Sequence, residues 1–172
     1  MNLAPISEQV IQDIDKLLSA CSDSVLEKYK KEFNVQQPYV YLYVNDICEN
    51  LKNEVKSIIF WKLALLIDLS YNSYNLPKGV ILMNDITEQM ILQEKLMDEL
   101  NNIHKNRNGL PDIMANIEQD NLMIHTGEQI NNYYEQGSLF NLFEIQELLS
   151  LLMILGYVYQ NNYKSKIKFI QN

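Results

Sequence analysis

The amino-acid sequence predicts an all-α fold: a compact multi-helix bundle or orthogonal array of about six to eight helices around a buried C-terminal helix at about 139–160. The chain has 172 residues but only 5 glycines and 4 prolines, well below average usage, which leaves few turns for a sheet. Several segments repeat apolar residues every three or four positions, as amphipathic helices do. The pattern allows one short β element in addition.

Composition and length indicate a single folded unit. Hydrophobic residues make up 47% of the chain and charged residues 21%, which excludes extensive disorder. The length is typical of one domain. We therefore expect one helical domain over residues 1–172, with a basic tail or short extension at 163–172.

The N-terminal part predicts two amphipathic helices. Apolar residues recur with helical spacing over 6–21, and Ser7 is placed to cap the start of that helix. Ser24 and Glu27 have the spacing of a capping box, which predicts a short second helix that buries apolar residues between 25 and 33.

The central part predicts a break and then a buried helix. Pro38 restricts its own backbone and disfavours a helical Gln37. Residues 39–44 are rich in tyrosine and valine and fit either a strand or a helix; we favour a helix that starts near Pro38. Residues 53–74 are apolar on most of their helical circumference, which predicts a central position.

Beyond a turn at 75–79, Asp85 and Glu88 have the spacing of a capping pair for a helix that ends before Gly109. Its apolar face is expected to include the side chains of Ile86, Met90 and Ile91. Short helices are expected at about 112–120 and 128–135. The segment 139–160 then predicts a helix about 30 Å long, and the basic tail alternates with period two, like a short strand or an extension.

Two features of the sequence predict a cytoplasmic protein without membrane contact. The first basic residue, Lys16, follows three acids, so the N-terminus lacks the basic start of a secretory signal. The apolar runs at 57–67 and 148–159 are shorter than the ~20 residues of a membrane span. Cys21 and Cys48 are accordingly expected to be free thiols in a reducing compartment.

The residues that carry chemistry do not form a recognisable catalytic or metal-binding motif. No pair among the two histidines and two cysteines has zinc-ligand spacing, and neither histidine follows a glutamate by three residues, as a di-iron bundle requires. No glycine-rich phosphate loop is present. We therefore expect no metal, no cofactor and no enzymatic activity.

One set of residues leaves an enzymatic alternative open. Lys105 and Arg107 have the chemistry to hold a phosphate while His104 transfers a proton, as in a small nuclease-like enzyme. The same residues also fit the basic last turn of a helix, where cations interact favourably with the helix dipole.

Charge is distributed unevenly along the chain. The formal net charge is −8, and residues 108–163 contain seven acids but no lysine or arginine. Such a stretch repels phosphate backbones and anionic membrane surfaces, which disfavours nucleic acid and lipid as direct ligands. It favours association with a basic protein surface.

The sequence therefore predicts a non-enzymatic binding protein that neutralises a basic partner, and a toxin-neutralising immunity or inhibitor protein is the leading interpretation. Tyrosines bury a large area with little loss of rotamer entropy, so two of them serve as anchors among the acids. A secretion-type chaperone or adaptor for an effector, which would form a homodimer, is the alternative within the binding class. The expected partner-binding residues are Asp112, Glu118, Asp120, Glu128, Tyr133, Tyr134 and Glu135.

Overall fold

A computed structural model describes residues 4–76, 79–106, 120–135, 140 and 142–170 of the chain. Side chains are described for these residues except 96–106, 120, 131, 133–135, 142, 143, 146, 147 and 168–170. The described residues form seven helices and no strand, which confirms the predicted all-α fold. The helices are α1 (Glu8–Ala20), α2 (Asp23–Gln36), α3 (Pro38–Leu51), α4 (Glu54–Asn72), α5 (Met83–Asn106), α6 (Asp120–Glu135) and α7 (Leu142–Ile170).

The first two helices begin at serines. Ser7 caps α1 as predicted, because its side-chain oxygen accepts a hydrogen bond from the backbone N–H of Val10 at 3.3 Å. The capping box predicted at Ser24 is wrong: α2 begins at Asp23, and Ser22 occupies the N-cap position. The hydroxyl groups of Ser22 and Ser24 share a hydrogen bond of 3.0 Å instead.

The ambiguous segment at 39–44 is helical. α3 begins directly at Pro38, where the missing N–H of proline removes no helical hydrogen bond. The preceding Gln37 is buried and joins this corner to the segment before α5: its Nε2 donates to the Gly79 carbonyl, and its Oε1 accepts from the Ile81 N–H, both at 2.9 Å. The favoured prediction of a helix starting near Pro38 is confirmed.

α4 lies at the centre of the bundle, as its apolar circumference predicts. Asn53 caps its start, and nearly every residue from Ile59 to Tyr71 is buried. The helix packs against α1, α2, α3, α6 and α7. It therefore forms the core around which most of the other helices are arranged.

α5 differs from its prediction at its start and on its buried face. The helix begins at Met83, and the Asp85 carboxylate accepts a hydrogen bond of 2.9 Å from the Leu82 N–H, so Asp85 lies inside the first turn. Ile86 is buried as expected, but Met90 and Ile91 are 44% and 46% exposed. The described part of α5 buries a narrow stripe where it packs against α3 and α7.

α6 and α7 are both longer than the sequence predicts. α6 is one helix that includes the expected segment 128–135, whereas 112–119 lies outside the described residues. α7 packs against α4, α5 and α6 and continues to Ile170, so the prediction of a strand or extension in the tail is wrong for residues 163–170. Tyr163 and Ile167 lie four residues apart and both pack against the core, which continues the helical pattern.

One glycine permits a close approach between these two helices. A Cβ atom at Gly156 would lie 2.9 Å from the sulfur of Met123, closer than ordinary van der Waals contact. The absent side chain therefore lets α7 pack tightly against α6. In the part of the chain that the structure describes, no helix is both long enough and apolar enough to cross a bilayer.

Candidate functional site

The predicted partner-binding residues are described only in part. Glu128 lies on α6 and is exposed, as an interacting carboxylate must be. The other predicted residues are not tested: Asp112 and Glu118 lie outside the described residues, as do the side chains of Asp120, Tyr133, Tyr134 and Glu135, whose backbones belong to α6.

Another acid of the same stretch is tied to a lysine of the protein itself. Lys56 Nζ on α4 donates to Glu144 Oε1 on α7 at 2.5 Å, and both side chains are largely buried. The same ammonium lies 5.3 Å from the ring centre of Phe140. Glu144 therefore serves the packing of α4 against α7 and does not add to an exposed anionic surface.

A polar contact that the sequence did not predict joins α1 to α6. Asp15 Oδ2 on α1 accepts a hydrogen bond from Gln129 Nε2 at 3.1 Å and lies 3.1 Å from His125 Nε2. The contact with His125 is an ion pair only when the imidazole is protonated. His125, which has no motif partner in the sequence, is thus positioned by a residue more than a hundred positions earlier.

Acids of α1 and α6 lie near this contact, and we define Glu8, Asp15 and Glu128 as the acidic face. Glu8 precedes Asp15 by seven residues and so lies on the same side of α1, about 10 Å away. Glu128 is exposed and follows His125 by three residues on α6. α6 contains no lysine or arginine, so His125, when its imidazole is protonated, is the one cationic side chain that α6 itself brings to these acids.

A second polar group is buried between α4 and α7 around Asp68. Asp68 is 3% exposed, and its Oδ1 accepts a hydrogen bond of 2.7 Å from the Tyr159 hydroxyl. Its Oδ2 accepts from Asn72 Nδ2 at 3.0 Å, and the Tyr163 hydroxyl donates to Asn72 Oδ1 at 3.1 Å. Tyr71 stacks on Tyr159 with ring centres 5.5 Å apart. The network connects the two central helices.

The pKa values of the tyrosines in this network are raised. Burial, with the Asp68 charge as a further cause, raises the pKa of Tyr159 well above its usual value. The same two causes raise the pKa of Tyr163 to about 12. Both hydroxyl groups therefore remain protonated donors at neutral pH.

A groove of about 430 Å³ opens between α2 and α4 beside this network. Asp68 lines it, and Tyr29 and Phe33 of α2 supply aromatic walls. Glu32 and Gln36 contribute further polar groups from α2. We call this feature the α2/α4 groove; it has the volume of a small-molecule site.

A second, smaller groove of about 260 Å³ lies between α5 and α7. Its polar lining includes Asp85 and Glu88 at the start of α5 and Asn161 and Ser165 on α7. Within the described ranges, no group of three or more metal-ligating side chains is present. The α5/α7 groove therefore offers hydrogen-bonding groups without a metal-ligand set.

The alternative catalytic set is not tested by the structure. His104 and Lys105 belong to α5 but their side chains lie outside the described residues, and Arg107 lies outside them altogether. Nuclease-like chemistry at these residues stays a prediction.

Both cysteines are free thiols, in agreement with the sequence prediction. Cys21 Sγ donates to the Leu18 carbonyl at 3.0 Å. Cys48 is buried, and this burial raises the pKa of its thiol to about 12. Cys48 is thus a core residue and a poor nucleophile.

Comparison of the chain with models of protein families, with curated proteins and with solved structures finds no match.

Proposed function

We propose that this protein is a non-enzymatic binding protein whose acidic face associates with a basic protein. The observation that carries the proposal is the contact of Asp15 on α1 with His125 and Gln129 on α6. Glu8 shares a side of α1 with Asp15, and Glu128 is the exposed residue before Gln129. α6 contains no lysine or arginine, and the whole chain carries a net charge of −8. These charges attract a cationic surface over several ångströms before contact.

The physical effect of such a face is mainly on the rate of association. Complementary potentials raise association rates by about ten- to a thousandfold at low ionic strength, and salt screens the effect within about 10 Å at 0.1 M. The same potential opposes binding to the phosphates of nucleic acids. A basic protein is thus the partner that the charge favours.

Within this class we favour an immunity-type inhibitor of a bacterial toxin, acting in the cytoplasm. The acids would occupy the basic surface with which a toxin binds nucleic acid, and Tyr133 and Tyr134 would be the desolvated anchors at the end of α6. The support is the small size of the chain, its acidity and the absence of a catalytic motif from the sequence.

Capture from a lysate of the native host tests the proposal. The wild-type protein is expected to retain a partner rich in Lys and Arg and to form a one-to-one complex with it on gel filtration. The double variant Glu8→Lys and Glu128→Lys is expected to lose that partner, because it reverses charge on the acidic face without touching Asp15.

The matched control is the double variant Asp46→Lys and Glu54→Lys. It produces the same change in net charge at exposed acids outside the acidic face. Glu54 lies in the first turn of α4, just as Glu8 lies in the first turn of α1. Retention by the control but not by the acidic-face variant supports the proposal. An acidic or neutral partner, or equal loss from both variants, contradicts it.

A secretion-type chaperone or adaptor is the second candidate, favoured by a different observation. Exposed apolar side chains lie before and along the first half of α5, at Leu82, Met83, Met90, Ile91 and Leu92. A chaperone would use such residues to hold a partly unfolded client and would dimerise. Gel filtration and protease sensitivity of the client in the complex distinguish the two functions, because an inhibitor binds a folded partner one to one.

A further inference from the structure

The lining of the α2/α4 groove includes an acidic residue from the apolar interior of α4. α4 contains a run of buried apolar residues, and Asp68 is the one acid in its interior. Asp68 is 3% exposed and nevertheless lines the groove. Asp68 therefore lies at the boundary between the core and an opening to solvent.

Burial of a carboxylate at this position is expensive for the fold. Removing a charge from water costs several kcal/mol even after relaxation of the protein, and replacement of buried ionic groups by apolar residues is often neutral or stabilising. The hydrogen bonds from Tyr159 and Asn72 hold the carboxylate in one orientation. A buried carboxylate held in one orientation beside a groove has the geometry of a ligand-binding group.

We propose that the α2/α4 groove is a binding site for a small organic cation, an ammonium or guanidinium group carried on an aromatic or alkyl stem. Asp68 binds the cationic group. Tyr29 and Phe33 of α2 contact the stem, together with Leu65 and Leu69 of α4. A volume of about 430 Å³ accommodates a ligand of this class.

The charges around the groove are consistent with a cationic ligand. Glu32 adds a second carboxylate, and the described lining contains no lysine, arginine or histidine. Glu32 also contacts Lys28, whose ammonium lies 3.9 Å from its carboxylate, with both side chains more than half exposed. Such an exposed pair contributes little to stability and is readily displaced.

Two small phenols test whether the charge of the ligand matters. Tyramine has an aromatic stem with an ammonium group, and 4-ethylphenol has the same ring and two-carbon stem without the charge. Titration of the full chain with each, followed by calorimetry and by amide chemical shifts of α2 and α4, measures the affinity and its location. We expect tyramine to bind at least tenfold more tightly than 4-ethylphenol, since a charged hydrogen bond is worth about 1.5 kcal/mol or more.

Two variants test whether Asp68 and the groove carry the binding. Asp68→Asn removes the charge at nearly constant shape and is expected to weaken tyramine binding by about tenfold or more. Gln36→Lys brings an ammonium to the groove from an exposed position at the end of α2 and is expected to do the same without disturbing the core. The control is Asn34→Lys, which adds the same charge to an exposed position of α2 that does not line the groove.

The site is supported if Asn34→Lys binds tyramine with wild-type affinity and Gln36→Lys binds it more weakly. This comparison remains valid even if Asp68→Asn does not fold. Equal binding of tyramine and 4-ethylphenol overturns the proposal, as does wild-type affinity of Gln36→Lys. Absence of chemical-shift changes in α2 and α4 with tyramine at about 10 mM, a concentration that detects even millimolar affinity, also overturns it.

Discussion

The hydroxyl of Tyr159 on α7 donates a 2.7 Å hydrogen bond to the carboxylate of Asp68 on α4, and both residues are at most 3% exposed. The bond supplies a fixed donor to a charge that the core would otherwise solvate poorly. Asp68 in turn helps to keep Tyr159 protonated by raising its pKa. The orientation of Asp68 at the α2/α4 groove therefore depends on the position of α7.

Replacement of Tyr159 by Phe is expected to lower the free energy of unfolding by about 1.5–3 kcal/mol. The substitution keeps the ring but removes the hydroxyl from a buried charged acceptor, which is then incompletely satisfied. Urea denaturation followed by circular dichroism measures the change. Tyr39→Phe is the control, because Tyr39 is 39% exposed and should change stability by less than about 0.5 kcal/mol. Equal effects of the two substitutions would refute this role of the bond.

Stability is expected to fall at alkaline pH. Tyr163 has its pKa raised from 10.0 to about 12 and Cys48 from 9.0 to about 12. The folded state then holds protons that the unfolded state releases, so their contribution is complete below about pH 9 and is lost as pH rises to about 12. Urea midpoints measured between these limits should decline, and the decline should be shallower in Tyr163→Phe and in Cys48→Ala. An identical slope in both variants and the wild type would contradict the assignment.

Lys56 and Glu144 are expected to be coupled more strongly than an exposed ion pair. Their side chains are 13% and 26% exposed, whereas those of Lys28 and Glu32 are 76% and 53% exposed. A double-mutant cycle with Lys56→Met and Glu144→Gln should give a coupling energy above about 1 kcal/mol. The matching cycle at the exposed pair should give less than about 0.5 kcal/mol. Similar coupling energies for the two pairs would contradict the structural role assigned to Glu144.

The two thiols are expected to react at very different rates. Cys21 is half-buried, while Cys48 is buried with its thiol pKa raised to about 12, so Cys48 forms almost no thiolate at pH 8. A thiol reagent should modify one cysteine in the native protein and two in urea. Cys21→Ser should make the native protein unreactive; fast labelling of that variant without denaturant would mean that Cys48 is accessible.

The sequence predicts the helices well because apolar periodicity and proline act locally. The helix predicted to start near Pro38 is observed, and so is the central position predicted from the apolar circumference of α4. Local patterns fail where packing decides: Met90 and Ile91 have helical spacing, yet they are exposed because α5 buries only a narrow stripe. The alternation in the tail is too short to compete with the packing of Tyr163 and Ile167 against the core.

The candidate sites are less predictable because they depend on contacts between distant residues. Glu128 is identifiable from the charge pattern, but its proximity to α1 follows from the contact of Asp15 with His125 and Gln129, more than a hundred residues later. Glu144 has the same charge as Glu128, and only the fold reveals that Lys56 pairs with it. Asp68 is the exception, because one acid inside an apolar helix is visible in the sequence itself.

The association rate constant with the captured basic partner, measured at about 15 and 150 mM salt, tests the role of the acidic face most directly. The wild-type rate should fall at least tenfold over this range, because the attraction between exposed charges is screened. The Glu8→Lys and Glu128→Lys variant should associate slowly with little dependence on salt, while the Asp46→Lys and Glu54→Lys control should behave like the wild type. A wild-type rate that is unaffected by salt, or an acidic-face variant that associates as fast as the wild type, would contradict the proposed function.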